Sequence, residues 1–216
     1  MLYTIGEEIF NSVSHGVGAI FSIVALTILI IFSALNGATA IDIVGYTVYG
    51  SSLIILYTMS TLYHAITNIK AKKVLRVIDH SSVYILISGS ITPYIFTVLN
   101  GTGFKRWIIF SIAWGTTLLG IILYSIFKQK IKIFNVTSYV LIGWSVIFLI
   151  PELFTTFKTL NIMPCLYLVG AGGITYTIGL IFYGLKKIKY FHSIWHLFVL
   201  AGSILHFIAI MFYIFK

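Results

Sequence analysis

Polar positions along the chain are bunched, and long apolar runs separate them. The 14 Lys and Arg and the 5 Asp and Glu all fall in short gaps: Glu7 and Glu8, Asp42, 70–79, Lys105 and Arg106, 128–132, Glu152 and Lys158, 186–189, and Lys216. Seven uncharged stretches lie between or beside them, at 16–35, 43–63, 81–99, 107–127, 133–151, 164–185 and 191–215. Each is close to the ~20 residues a helix needs to cross about 30 Å of hydrocarbon. The pattern predicts an all-α polytopic membrane protein, seven transmembrane helices forming a single domain over 1–216. The loops are short, which makes neighbouring helices antiparallel and leaves no room for a soluble domain. The first stretch lacks a basic leader and a small-residue cleavage site, so it is expected to remain as a span. No internal repeat or low-complexity linker is visible.

Composition removes the main alternative. The chain is 59% hydrophobic and 9% charged, whereas soluble domains carry about 25% charged residues. A net charge of +9 raises the idea of nucleic-acid binding, which requires basic residues gathered on one exposed face. Here they are spread over the gaps, so no nucleic-acid partner is expected. They are spread unevenly. The gaps after the second, fourth and sixth stretches hold Lys70, Lys72, Lys73, Arg76, Lys128, Lys130, Lys132, Lys186, Lys187 and Lys189, and the opposite side holds only Lys105, Arg106, Lys158 and Lys216. Basic residues are retained on the cytoplasmic side, so the N-terminus is predicted inside, the C-terminus outside, and the location a cell membrane.

With Cys165 as the only cysteine, a thiolate zinc cluster cannot form, and a metal site must use histidine, carboxylate and water. Gly170, Gly172, Gly173 and Gly179 in the sixth stretch suit close helix packing. Pro93 in the third predicts a kink or an opened turn. More informative are ionisable groups inside apolar stretches, which are costly and normally face a bundle interior. On the predicted topology, His15, His64, Asp79, His80, His192 and His196 all lie at the cytoplasmic end. His192 and His196 are four apart and share a helix face. With His64 they make the three-ligand arrangement of catalytic zinc, which keeps a fourth position for water. Asp79 can then orient or deprotonate that water, and Ser60, one turn before His64, faces the same side. Other readings stay open: His15 and His80 as interfacial residues, Asp79 in an ion pair with Arg76, and Glu8 and Asn11 as a solvated helix start. His206 lies ~15 Å deeper than His196, too far for the same ion.

The segments EEIFNSVSHGVGA (7–19), STLYH (60–64), RVIDHSSVYILISGSITPY (76–94) and HSIWH (192–196) resemble the hemolysin III family, a bacterial relative of the progestin and adipoQ receptors and, more remotely, of alkaline ceramidases. The resemblance implies seven helices and a cytoplasmic-side zinc site with ligands His64, His192 and His196. It also implies that Asp79 stands beside the metal water and that Ser60 polarises the substrate. It further implies zinc-dependent hydrolysis of a lipid, an amide above all, with an acyl chain entering from the bilayer and an effect on lipid composition. Two alternatives differ in class: a hemolysin-like protein that permeabilises membranes, and a lipid-sensing regulator whose zinc is structural. Haemolytic pores generally start from soluble forms or barrel strands, and this chain has the pattern of neither.

Overall fold

The computed structural model describes residues 3–99, 103–185 and 188–215, without the side chains of residues 129 and 132. Lys186, Lys187 and Lys216, which enter the count of basic residues above, and the side chain of Lys132 lie outside what is described. Among the described residues the chain is all-helical, and seven helical segments are long and apolar enough to cross a membrane. In chain order the helices are α1 (Ile5–Leu35), α2 (Ala40–Ala65), α3 (Ile69–Thr97), α4 (Phe104–Phe127), α5 (Lys132–Trp144), α6 (Ile150–Thr159), α7 (Pro164–Gly184) and α8 (Phe191–Ile214). The fifth span, Ile133–Thr159, is the broken one. It passes from α5 through a tight 3-10 stretch, Ser145–Leu149, into α6. Pro151, in the first turn of α6, explains the break: it has no N–H to donate and its ring crowds the carbonyl four residues back. Pro93, by contrast, lies within a continuous α3, where Thr92 donates to the Ser88 carbonyl at 2.7 Å beside the rung that proline leaves open. Of the kink or opened turn expected at Pro93, the opened turn does not form.

Two helices begin well before their apolar stretches. α1 starts at Ile5 because Thr4 and Glu7 cap each other reciprocally, a capping box that satisfies two otherwise unbonded groups. α3 starts at Ile69 behind Asn68, whose side chain accepts from Lys70 and Ala71. Residues 70–76 are therefore helical rather than loop, and Asp79 sits inside α3, not at its start. Charge ends a hydrocarbon span, but Lys and Arg are good helix formers and do not end a helix.

The interior mixes aliphatic side chains with buried tyrosines and hydroxyls, and the outside is mostly aliphatic. Ile20, Ile23 and Leu118 are more than half exposed, whereas Tyr49, Tyr57 and Tyr84 are fully buried. Without water to bond them, hydroxyls inside a membrane turn back to their own helix. Ser22 donates to the Gly18 carbonyl at 2.6 Å and Thr61 to that of Tyr57 at 2.7 Å. Close approach is set by glycines at crossings. A Cβ on Gly18 would stand 2.6 Å from the Tyr57 ring, and one on Gly89 2.6 Å from Ser52 Cβ. Of the α7 glycines, Gly172 meets His206 and Gly179 meets Trp195 and Phe198, but Gly170 and Gly173 have nothing within 4 Å. The packing role expected of all four holds for two.

Candidate metal centre

The ends of α1, α2 and α8 meet, and the reason can be followed along α1. Glu7, Glu8, Asn11 and His15 recur on its buried side at helical spacing. Each grips a different neighbour. Glu7 Oε1 accepts from the Tyr190 backbone N–H at 2.8 Å, just before α8 begins. Asn11 Oδ1 accepts from Ser193 Oγ at 2.6 Å. His15 stacks on His196 with ring centroids 3.7 Å apart. Glu8 Oε2 lies 2.6 Å from His64 Nδ1, and its other oxygen lies 2.9 Å from Lys72 Nζ. Lys72 also donates to the carbonyls of His64 and Ile66. Glu8 and Asn11 are thus buried connectors and not a solvated helix start.

These contacts position three imidazoles. His64 is at the end of α2, while His192 and His196 are one turn apart at the start of α8. One ligating nitrogen from each lies within 4.8 Å of the other two, and all three residues are buried. The Nε2 atoms of His192 and His196 are 3.2 Å apart. Two nitrogens bound to one tetrahedral zinc at 2.0–2.1 Å stand about 3.3 Å apart, so this pair already has ligand spacing. His64 Nδ1 is taken by Glu8, and its Nε2 is buried with no hydrogen-bond partner among the described residues. A carboxylate on one imidazole nitrogen with the other left open is the usual arrangement behind a metal ligand: it selects the tautomer and aims the ring. A zinc ion fits these donors. Three histidine nitrogens this close together could hold a metal ion, and imidazole nitrogen is among zinc's usual ligands.

Beside the histidines runs a cavity of about 100 Å³, lined by Ser60, Asp79, His80, His192 and His196 and, farther on, by Tyr94 and His206. Leu86, Ile91 and Val199 give it apolar walls. Ser60 is buried on α2 and lines this space. Asp79 lines it too but stands outside the three-histidine group. Its carboxylate is 3.3 Å from His80 Nδ1, and no ion pair joins it to Arg76 among the described residues. His80 faces the cavity and stacks on Tyr124 with ring centroids 5.3 Å apart. Tyr3 stacks on His192 at 4.8 Å. Sequence spacing had offered no sign of Tyr3, and left Glu8 undecided for want of any signal that α1 crosses α2 at that height.

Residues 3–207 match the family described as Haemolysin-III related. The chain is similar to the hemolysin-3 homolog of Bacillus subtilis (strain 168), 41% identical over 216 residues that cover 100% of this chain and 98% of that protein. It is similar to hemolysin-3 of Bacillus cereus, 39% identical over 214 residues, or 99% and 94% of the two chains. A more distant relative is the monocyte to macrophage differentiation factor of Homo sapiens, 28% identical over 179 residues, covering 78% of this chain and 70% of that one.

Proposed function

The chain belongs to the Haemolysin-III related family, and from that premise we propose that it is a zinc-dependent hydrolase acting on lipid amide bonds inside the bilayer. One observation carries the proposal. Three buried histidine nitrogens, one of them oriented by Glu8, lie within 4.8 Å of one another, and two of these histidines, His192 and His196, line a mainly apolar cavity that also holds a hydroxyl and a carboxylate. Zinc bound there would polarise a carbonyl and lower the pKa of a water towards neutrality.

The chain's own residues supply the rest. Ser60 Oγ donates to the carbonyl oxygen of a substrate amide. Asp79, held by His80 at 3.3 Å, accepts a proton from the attacking water and returns it to the leaving nitrogen. Leu86, Ile91 and Val199 enclose the acyl chain and keep bulk water away. On the distribution of basic residues, the site belongs at the cytoplasmic side of a cell membrane.

The test is a purified, zinc-loaded preparation offered ceramides, N-acyl amides and phospholipids, alongside Asp79→Asn and Ser60→Ala. Turnover of an amide that falls at least about a hundredfold in Asp79→Asn, with zinc content unchanged, supports the reading. No turnover of any lipid by protein with full zinc occupancy refutes it.

A second reading has its own support: α2 and α8 both contribute ligands, so zinc would tie helices together and report on a lipid without chemistry. It predicts that chelation lowers the melting temperature sharply while no lipid is turned over. The name of the Bacillus cereus relative points to lysis. Dye release from liposomes that persists in His64→Ala would assign that action to something other than the metal centre.

A further inference from the structure

His206 lies ten residues along α8 from His196, about 15 Å by helical rise, yet both line the same cavity. That distance is half of the roughly 30 Å hydrocarbon layer, so His206 stands near the middle of the bilayer. A polar group at such depth is costly unless it is bonded. His206 is only 7% exposed, and its Nδ1 has no hydrogen-bond partner among the described residues. Tyr94, on α3, is 2% exposed, lines the cavity beside it with ring centroids 6.3 Å apart, and its hydroxyl is likewise unbonded.

The groups around them are satisfied and rigid. Tyr57 donates to Ser203 Oγ at 2.7 Å, Tyr49 donates to the Ser203 carbonyl at 2.7 Å, and Tyr176 is bonded to Ser203 Oγ at 2.9 Å. Tyr176 in turn stacks on His206, 5.7 Å between centroids and 16° between planes. Gly172 receives the edge of the same imidazole: a Cβ there would meet His206 Cδ2 at 2.8 Å. The imidazole is therefore held in place by groups that leave its Nδ1 open, next to an equally open phenol.

We propose that Tyr94 and His206 form a second recognition point, for a hydroxyl carried about a dozen carbons from the reacting end of a lipid chain, at the ~15 Å separation above. The inference rests on the reading of the cavity as a lipid chamber. A hydroxyl is the small chain substituent that both accepts and donates: it accepts from the Tyr94 O–H and donates to the lone pair of His206 Nδ1. A plain methylene chain at that position buries both polar atoms without a bond, and a site built to bond a hydroxyl discriminates against the analogue that lacks it.

The experiment is displacement of a fluorescent fatty acid from the purified protein by stearate and by hydroxystearate whose hydroxyl lies about a dozen carbons from the carboxyl group. The wild type should prefer the hydroxylated acid by about ten-fold. Tyr94→Phe, which removes one oxygen and nothing else, should abolish the preference while leaving stearate affinity in place, and His206→Phe should do the same. Equal affinity for the two acids in the wild type, or a preference that survives Tyr94→Phe, overturns the inference and leaves the lipid chamber standing. Displacement by neither acid overturns both.

Discussion

Replacing Glu8 by alanine removes the carboxylate that holds His64 by its Nδ1 at 2.6 Å. The consequences can be separated, because Lys72, the other partner of Glu8, keeps two backbone acceptors, the carbonyls of His64 and Ile66 at 3.4 and 3.2 Å. The cation therefore stays bonded, and the loss falls on the imidazole, which is free to change tautomer and to rotate. Removing such an outer carboxylate typically lowers metal affinity 10- to 100-fold, or about 1.4 to 2.7 kcal/mol. Glu8→Ala should lie near the upper end. Glu8→Gln keeps a hydrogen-bond acceptor for Nδ1–H but loses the charge, and should lie near the lower end. The assay is zinc affinity by competition with a chromophoric chelator, on detergent-purified variants whose melting temperatures are recorded without metal. His64→Ala, which deletes the ligand itself, sets the scale for complete loss. Affinity in Glu8→Ala within twofold of wild type would refute the reasoning, for then the 2.6 Å contact would not be what aims His64.

Three further outcomes follow from particular contacts. Chelation should lower the melting temperature of the wild type but not of His192→Ala, since metal binding contributes folding free energy only where the ligands are complete; an equal effect on both would place the metal elsewhere. Gly18→Ala should cost about 1 to 3 kcal/mol, because the Tyr57 ring that the new methyl meets at 2.6 Å is pinned by its bond to Ser203, whereas Gly170→Ala, with nothing within 4 Å, should be neutral or gain up to about 1 kcal/mol of helix propensity; thermal unfolding of both variants in one detergent decides it. Tyr57→Phe should cost about 1 kcal/mol by the same measurement, through loss of the 2.7 Å bond to Ser203, and should leave zinc content unchanged.

Much of this architecture is legible in the one-dimensional pattern. Uncharged runs of about twenty residues mark seven spans because a charge at membrane depth is expensive. The same cost explains why histidines at matching depths on the second and seventh stretches meet in space. What the pattern records, however, is the bilayer and not the helix. α1 and α3 each begin about ten residues before their apolar stretches, at Ile5 and Ile69, since capping by Thr4 and Asn68 and the helix propensity of the lysines continue the coil beyond the hydrocarbon. Asp79 consequently sits inside α3 and pairs with His80, not Arg76. The break at Ser145–Leu149 has a visible cause in Pro151, but an uncharged stretch looks the same whether its backbone is α-helical or 3-10. His206 stands outside the three-histidine group among the described residues. Its part in the cavity depends on how α3, α7 and α8 pack side by side, which depth along one helix does not encode.

The division of labour among the helices follows from these contacts. α2 and α8 carry the nitrogens, but neither orders them alone: His64 ends its helix where the backbone turns away at Ile66, and α8 opens on Tyr190, a non-glycine residue at φ 64°. Both ends lie where a helix has unbonded groups and frays most easily. α1 supplies what they lack, its buried side bonding Tyr190 through Glu7, Ser193 through Asn11 and His64 through Glu8, and stacking His15 on His196. A helix with no ligand of its own is thus the template that holds the ligands in register. Weakening α1 at Asn11 should therefore loosen the start of α8, where Ser193 lies between the two ligands, just as the loss of Glu8 loosens His64; zinc affinity of Asn11→Ala by the same chelator competition checks it.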